Sequence, residues 1–251
     1  MKQRLLILVC SPKRRGGASG FFARLLRLFL PGRGVVCLPL RSRADFPAAL
    51  DALKEAGALC FSLPLYTDSL PSHLLEFLLE AQPAVRARQQ PLQVAAVLNN
   101  GFVEGSQNRT ALCQLRAWCA RANAVWLGGT GIGGGTMLHV LSTVFPILMA
   151  ISLAFAALAL GGGEAPSWGM FAPLLWQAGA WLFLNAGALV CLALLSRSLR
   201  RGRAAPDRFT RVLLPSFLFL PIANLFMFLS SLFQGRLLFT LLKKDQWNGK
   251  K

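Results

Sequence analysis

Residues 4–19 read RLLILVCSPKRRGGAS. The apolar run through Cys10 has no polar alternation, which marks a strand buried on both faces rather than one with a wet side. Residues 11–17 then form a basic, glycine-containing loop, and Ser19 is placed to cap a helix over 20–30. The same alternation recurs downstream. Residues 34–40 (GVVCLPL), 58–63 (ALCFSL), 92–99 (LQVAAVLN) and the short 124–127 (AVWL) read as strands, with helices over 47–56, 72–81 and 106–122 between them. Strands and helices in this order predict a five-stranded parallel sheet covered on both faces.

Beyond residue 136 the chain changes character. The whole is 54% hydrophobic with a mean hydropathy of +0.49, and the excess is concentrated after Met137. Residues 137–160 carry no formal charge and are long enough to cross a hydrocarbon core of about 30 Å. Residues 169–195 form a second such run, and 212–242 a third, interrupted by Pro215, Pro221, Gly235 and Arg236. The loop 161–168 has no basic residue, whereas 196–211 carries six arginines. The positive-inside rule therefore predicts a multi-pass cell-membrane protein with its N-terminal domain cytoplasmic. The third run reads either as a full crossing or as a kinked segment that keeps the basic tail inside. Two modules follow: 1–136, an α/β domain, and 137–251, a membrane module.

The net charge is +17, split as +9 before residue 137 and +8 after it. Basic residues beside apolar spans serve topology and anionic lipid. No nucleic-acid-binding motif accompanies them, so the lipid bilayer is the expected partner and nucleic acid is not. The six cysteines form no CxxC pair and no metal-ligand pattern, so no metal site is expected; they read as reduced, mostly buried thiols of a cytosolic domain. His73 reads as a helix-end residue. His139 is the only histidine after residue 136, which excludes paired histidine ligation of a haem within one chain.

In open parallel sheets, ligands bind beyond the carboxyl ends of the strands. The loop after strand one combines Ser11, Lys13, Arg14, Arg15, glycines and a helix N-terminus, a set suited to a phosphate. The loop after strand three, PLYTDSLP (64–71), holds the chain's only tyrosine, and the loop after strand four is NNGFVEG (99–105). A further stretch, GGTGIGGG (128–135), contains Gly129-x-Gly131-x-x-Gly134, the spacing of a dinucleotide fingerprint. That fingerprint belongs after the first strand of a βαβ unit and needs an acid about 20 residues on. Here it follows the last strand, and the next acid is Glu164. It reads as the closing loop of the domain and the hinge into the apolar module.

At these loops the sequence resembles the flavodoxin-like NAD(P)H-dependent FMN reductases. LLILVCSPKRRGGAS looks like that family's first strand and phosphate loop, with Cys10 where the family usually has glycine. SLPLYTDSLP looks like its second loop, which runs along the isoalloxazine ring, and LNNGFVEGSQN like a third flavin-side loop. The resemblance covers about 1–137 and implies a flavodoxin-like doubly wound sheet in the order 2-1-3-4-5. It implies FMN as cofactor, held by Ser11, Lys13, Ala18, Ser19, Pro64, Leu65, Tyr66, Thr67, Asn99 and Gly101. NAD(P)H would be the co-substrate, and no catalytic side chain is required because the flavin carries the chemistry. Members are commonly dimers, which adds a homodimer to the implied partners, beside a quinone or membrane redox partner. Two function classes stay open on the residues: a membrane-anchored flavin oxidoreductase with a quinone, small-molecule or protein acceptor, and a non-enzymatic membrane assembly or regulatory protein built on the same domain.

Overall fold

The computed structural model describes residues 4–13, 17–32, 34–163 and 165–233. Arg14, Arg15, Glu164 and the segment 234–251, which includes the end of the third apolar run and the basic tail, lie outside the described residues. The chain divides into a unit of residues 1–213 and a second of 214–251.

Five strands match the apolar runs: β1 (Arg4–Val9), β2 (Val35–Pro39), β3 (Ala56–Pro64), β4 (Gln93–Asn99) and β5 (Val125–Ile132). They pair in parallel in the order β2-β1-β3-β4-β5, the flavodoxin-like order. A sixth strand, β6 (Arg208–Phe209), adds in parallel beyond β5 through Thr130↔Arg208 and Gly131↔Phe209. The expected count of five is therefore corrected to six. A two-residue strand shows no hydrophobic period, and β6 is held by its neighbours rather than by its own composition.

The helices on one face are α2 (Phe46–Glu55), α3 (Ser72–Arg86) and α4 (Arg109–Arg121), with α4 preceded by a 3-10 turn at Gly105–Asn108. Their apolar stripes close over Leu6, Leu8, Leu59, Phe61, Val94, Ala96 and Leu98. Trp118 fills the centre of this layer, its indole N–H donating to the Leu78 carbonyl at 2.9 Å. The opposite face, formed by Leu5, Ile7, Ala58, Cys60, Ala95, Val97 and Leu127, is covered by α1 (Ala18–Leu28) through Phe22, Leu25 and Leu26.

The rest of that second face is sealed from far along the chain. After β5 the chain enters α5 (Gly135–Gly161), turns, and returns as α6 (Trp168–Arg201). By length and composition both helices are apolar enough to cross a membrane. Their apolarity has different causes. On α5 only Leu138 and Ala156 among the large and small apolar side chains are buried. On α6, Ala188, Leu192, Leu195 and Leu199 sit in the core against the sheet and α1. The apolar run 169–195 is thus partly an arm paired with α5 and partly a core helix of the α/β layer.

Strand β5 extends five residues past the expected 124–127 because its glycines are strand residues pressed by neighbours. A Cβ on Gly131 would stand 2.5 Å from the Gly105 carbonyl oxygen and 2.7 Å from the Phe209 ring. The return loop is pinned to β5 by Asp207. Its carboxylate accepts from the Trp126 indole N–H at 3.0 Å and the Gly129 amide at 2.8 Å, and it pairs with Arg116. The carboxylate is only 10% exposed. In the second unit α7 (Ser216–Phe233) is apolar and contains Pro221.

Removing the Asp207 carboxylate strands two N–H donors in a part-buried site, a loss of roughly 2–4 kcal/mol. Asp207→Ala is expected to lower the unfolding temperature of detergent-solubilised protein by several degrees in differential scanning calorimetry. An unchanged transition would show that the clamp is idle.

Candidate active site

The chain's three unusual loops converge at the carboxyl edge of the sheet. Loop one leaves β1 with Ser11, buried, and Lys13, exposed, and ends at the first turn of α1. Among the described residues no side chain caps that helix, and its first turn contains no acid. Its amide donors are thus left facing the loop, where a negative group is stabilised. Cys10 does not intrude: it is fully buried, its thiol donates to the Leu8 carbonyl, and burial pushes its pKa well above the ordinary thiol value. The backbone at Cys10 stays in the sheet, its amide donating to the Ser62 carbonyl at 2.8 Å.

Ser19 is the anchor of the site. The Asn99 amide donates to its hydroxyl oxygen at 2.9 Å, and the Ser62 hydroxyl donates to its carbonyl at 2.7 Å. The start of α1 is therefore tied to the ends of both β3 and β4. The other Asn99 amide hydrogen goes to the Leu63 carbonyl at 3.0 Å. Both donors of Asn99 are consumed inside the protein, so its side chain positions the loops rather than offering hydrogen bonds outward.

Loop two begins with the Leu65 amide donating to the Asn99 carbonyl at 2.8 Å. Tyr66 and Ser69 then exchange backbone hydrogen bonds across a two-residue turn, with φ of 47° at Thr67 and 57° at Asp68. Positive φ at both central residues is the geometry that asparagine and glycine ordinarily supply. A β-branched residue there is strained by the order of 1–3 kcal/mol. The turn projects Tyr66 over the cleft, about half-exposed, and burial raises its phenol pKa above the ordinary value.

Loop three is stiffened by Asn100, whose Nδ2 donates to the Glu104 carbonyl at 3.0 Å and whose Oδ1 accepts the Phe102 amide at 3.1 Å. Gly101 borders open space, since a Cβ there would meet nothing within 4 Å. The turn after β5 closes the site from the far side: the amides of Gly134 and Gly135 donate to the Phe102 and Asn100 carbonyls at 2.6 and 2.7 Å. Gly134 takes φ of 62° there.

Together these loops enclose a cleft of 190 Å³. Ser11, Lys13, Ala18, Ser19, Pro64, Leu65, Tyr66, Asn99 and Gly101 line it, so nine of the ten residues carried over from the resemblance meet in one place. Thr67 is not among the lining residues; it shapes the turn that presents Tyr66. Gly17, Asn100 and Thr136 line the cleft in addition. Asn100 is legible as the neighbour of Asn99 in the same polar loop. Thr136 is not, because it opens a run whose composition reads as membrane.

The glycines of the apparent dinucleotide fingerprint lie on β5 and in its closing turn, not around the cleft's basic end. A Cβ at Gly129 would stand 2.3 Å from Leu112, which accounts for that glycine by packing.

No family model and no curated protein matches the chain. Among solved structures, the NAD(P)H:quinone oxidoreductase from Methanothermobacter marburgensis aligns at 11% identity over 57% of this chain and 92% of its own, with a TM-score of 0.45. The flavodoxin, WrbA-like protein from Agrobacterium tumefaciens aligns at 15% identity over 49% of this chain and 76% of its own, with a TM-score of 0.41. The NADH:FMN oxidoreductase EMOB in its apo form aligns at 19% identity over 51% of this chain and 73% of its own, with a TM-score of 0.40.

Since Tyr66 is the chain's single tyrosine, its ionisation is directly observable. Tyrosinate absorbance is expected to rise with a midpoint above the ordinary value of about 10. The phenol would then stay neutral, a donor, through the physiological range. A midpoint at about 10 would place the phenol in free solvent, and one below it beside a cation.

Proposed function

We propose that the chain is a membrane-anchored flavin-dependent oxidoreductase that takes hydride from NAD(P)H through FMN and passes electrons to a quinone, small-molecule or protein acceptor. One observation carries this reading: hydroxyls, a lysine and an uncapped helix N-terminus meet at one end of a cleft whose other end is open beside a tyrosine. At 190 Å³ the cleft is smaller than the roughly 300 Å³ or more of a closed ligand pocket. It is a notch of a size for a phosphorylated polyol tail, open on the side where Tyr66 and Gly101 leave room for a planar ring.

The donor set fits that division of labour. Lys13, the Ser11 and Ser19 hydroxyls and the first amides of α1 supply positive charge and hydrogen bonds for a phosphate. Ser19 accepts from Asn99, so its own hydroxyl hydrogen is directed away from that amide. Tyr66 offers an aromatic surface without a charge. The redox chemistry, hydride acceptance and onward electron transfer, is supplied by the cofactor once bound. The protein's residues bind the tail, hold the loops rigid and set the edge against which a second substrate must approach.

The anchoring part of the proposal is supported by the α5–α6 hairpin and by the arginines of 196–211, which lie on the domain side of it. They favour the domain on the cytoplasmic side.

Purified protein is expected to bind FMN with yellow absorbance, and more tightly than riboflavin because the phosphate is held. Lys13→Ala should weaken FMN binding about tenfold while leaving riboflavin binding nearly unchanged, read by isothermal titration calorimetry. Protein that cannot be reconstituted with FMN would favour the non-enzymatic reading.

A further inference from the structure

The cleft and the apolar hairpin leave the domain at the same edge of the sheet. Helix α6 runs antiparallel to the strands: Gly187 lies against Thr210, beside the carboxyl end of β5, and Gly202 against Gln93, at the amino end of β4. Core packing begins at Asn185 and Ala188. Everything on α6 before Asn185 therefore stands beyond the carboxyl edge, as does α5 after Leu138. The two arms are joined there by the Trp181 indole donating to Ser142 at 2.9 Å and the Gln177 amide donating to Ser152 at 3.2 Å. Their outer faces expose Ile147, Ile151, Phe155, Leu158, Trp176 and Leu182.

Length decides how far the domain stands from a bilayer. The free arm of α6, residues 168–184, is about 25 Å long at ~1.5 Å per residue. A hydrocarbon core is about 30 Å thick. The free arm of α5, residues 139–161, is about 35 Å long, so neither arm leaves room for more than about 5 Å of spacer and a crossing hairpin draws the carboxyl edge of the sheet into the headgroup layer. That edge carries the cleft, one of whose walls is Thr136 in the first turn of α5. It also carries Phe102, 57% exposed, whose carbonyl accepts the Gly134 amide at the foot of α5. Lys13 also lines the cleft. An exposed aromatic and a lysine are the side chains that the interface accommodates.

Resting on the reading of the hairpin as a membrane anchor, we propose that the cleft opens into the headgroup layer and takes its electron acceptor from the bilayer. The acceptor is an amphiphile whose reducible head reaches the cleft past Phe102 and Tyr66 while its hydrocarbon tail stays among the lipid chains around α5. In balance, the hydride of NAD(P)H and one proton from water convert the acceptor to its two-electron-reduced, doubly protonated form. NAD(P)H, carrying phosphates, arrives from the aqueous side.

The test places a nitroxide on the full-length protein in vesicles of phosphatidylcholine and phosphatidylglycerol, one label per variant, with Cys37, Cys113 and Cys191 replaced by serine. Phe155→Cys reports the hairpin, Phe102→Cys the cleft edge, and Leu79→Cys the middle of α3. Relaxation by oxygen and by a water-soluble nickel complex gives the depth of each. The label at 155 is expected in hydrocarbon, that at 102 at the headgroup boundary, and that at 79 in water. A label at 102 as open to nickel as the one at 79, with 155 in hydrocarbon, overturns the proposal while leaving the anchor intact. A label at 155 in water removes the anchor and this proposal together, and the flavin content of the same preparation tests the cofactor separately. In the same vesicles, a benzoquinone bearing a decyl tail should show kcat/KM at least about tenfold above that of untailed benzoquinone. Equal values for the two overturn the proposal.

Discussion

A parallel sheet must be covered on both faces, and α1 alone is too short to seal the face floored by Ala58, Cys60, Ala95, Val97 and Leu127. The cover is completed by Ala188, Leu192, Leu195 and Leu199 on α6, more than fifty residues after β5 ends. Much else in the first unit follows from that requirement. The chain must leave the layer and come back, so the excursion is a hairpin. The helix that returns is continuous with the arm that stands outside, since both belong to α6. The loop that follows must then be fastened, which Asp207 and β6 do along the outer edge of β5.

The site is built from backbone and internal amides as much as from groups that face a ligand. Asn99 and Asn100 spend their side-chain donors on Ser19, Leu63 and Glu104. The start of α1, the end of β3 and loop three are thereby tied together before anything binds, which lowers the cost of ordering them around a ligand. The strained turn at Thr67 and Asp68 belongs to the same frame, since it fixes where Tyr66 points. The positions that remain open, Gly101 and the uncapped start of α1, are those where a ligand can approach the backbone closely.

Most of this was legible in the sequence where one physical cause shaped the local pattern. Strands β1, β3 and β4 are buried on both faces and so appear as unbroken apolar runs. The loops after them stand out because glycine, proline, asparagine and hydroxyl residues interrupt those runs. Legibility failed where the cause was non-local. Strand β5 contains three glycines, a composition that reads as loop, because the segment around Gly105 and the side chain of Leu112 approach too closely for a Cβ. Helix α3 continues through Pro83 to Arg86, where the sequence suggested an end near Ala81, since its last turn packs Val85 against the sheet layer. Thr136 joins the cleft only because the β5 turn folds back onto loop three.

The amino-acid sequence alone determined the succession of strands and helices, the basic loop that follows β1 and the extreme apolarity of residues 137–195. These depend on short-range pattern: period, run length and turn chemistry. Only the tertiary structure decided what that apolarity is for. A helix packed against a sheet and a helix standing free in an apolar environment require the same side chains, because both exclude water from the same kind of surface. Nothing local separates Leu182 and Phe183, which are exposed, from Leu192 and Leu195, which are buried. The separation is made by where α6 meets the sheet, and that meeting point also brings the apolar hairpin and the cleft to a common edge.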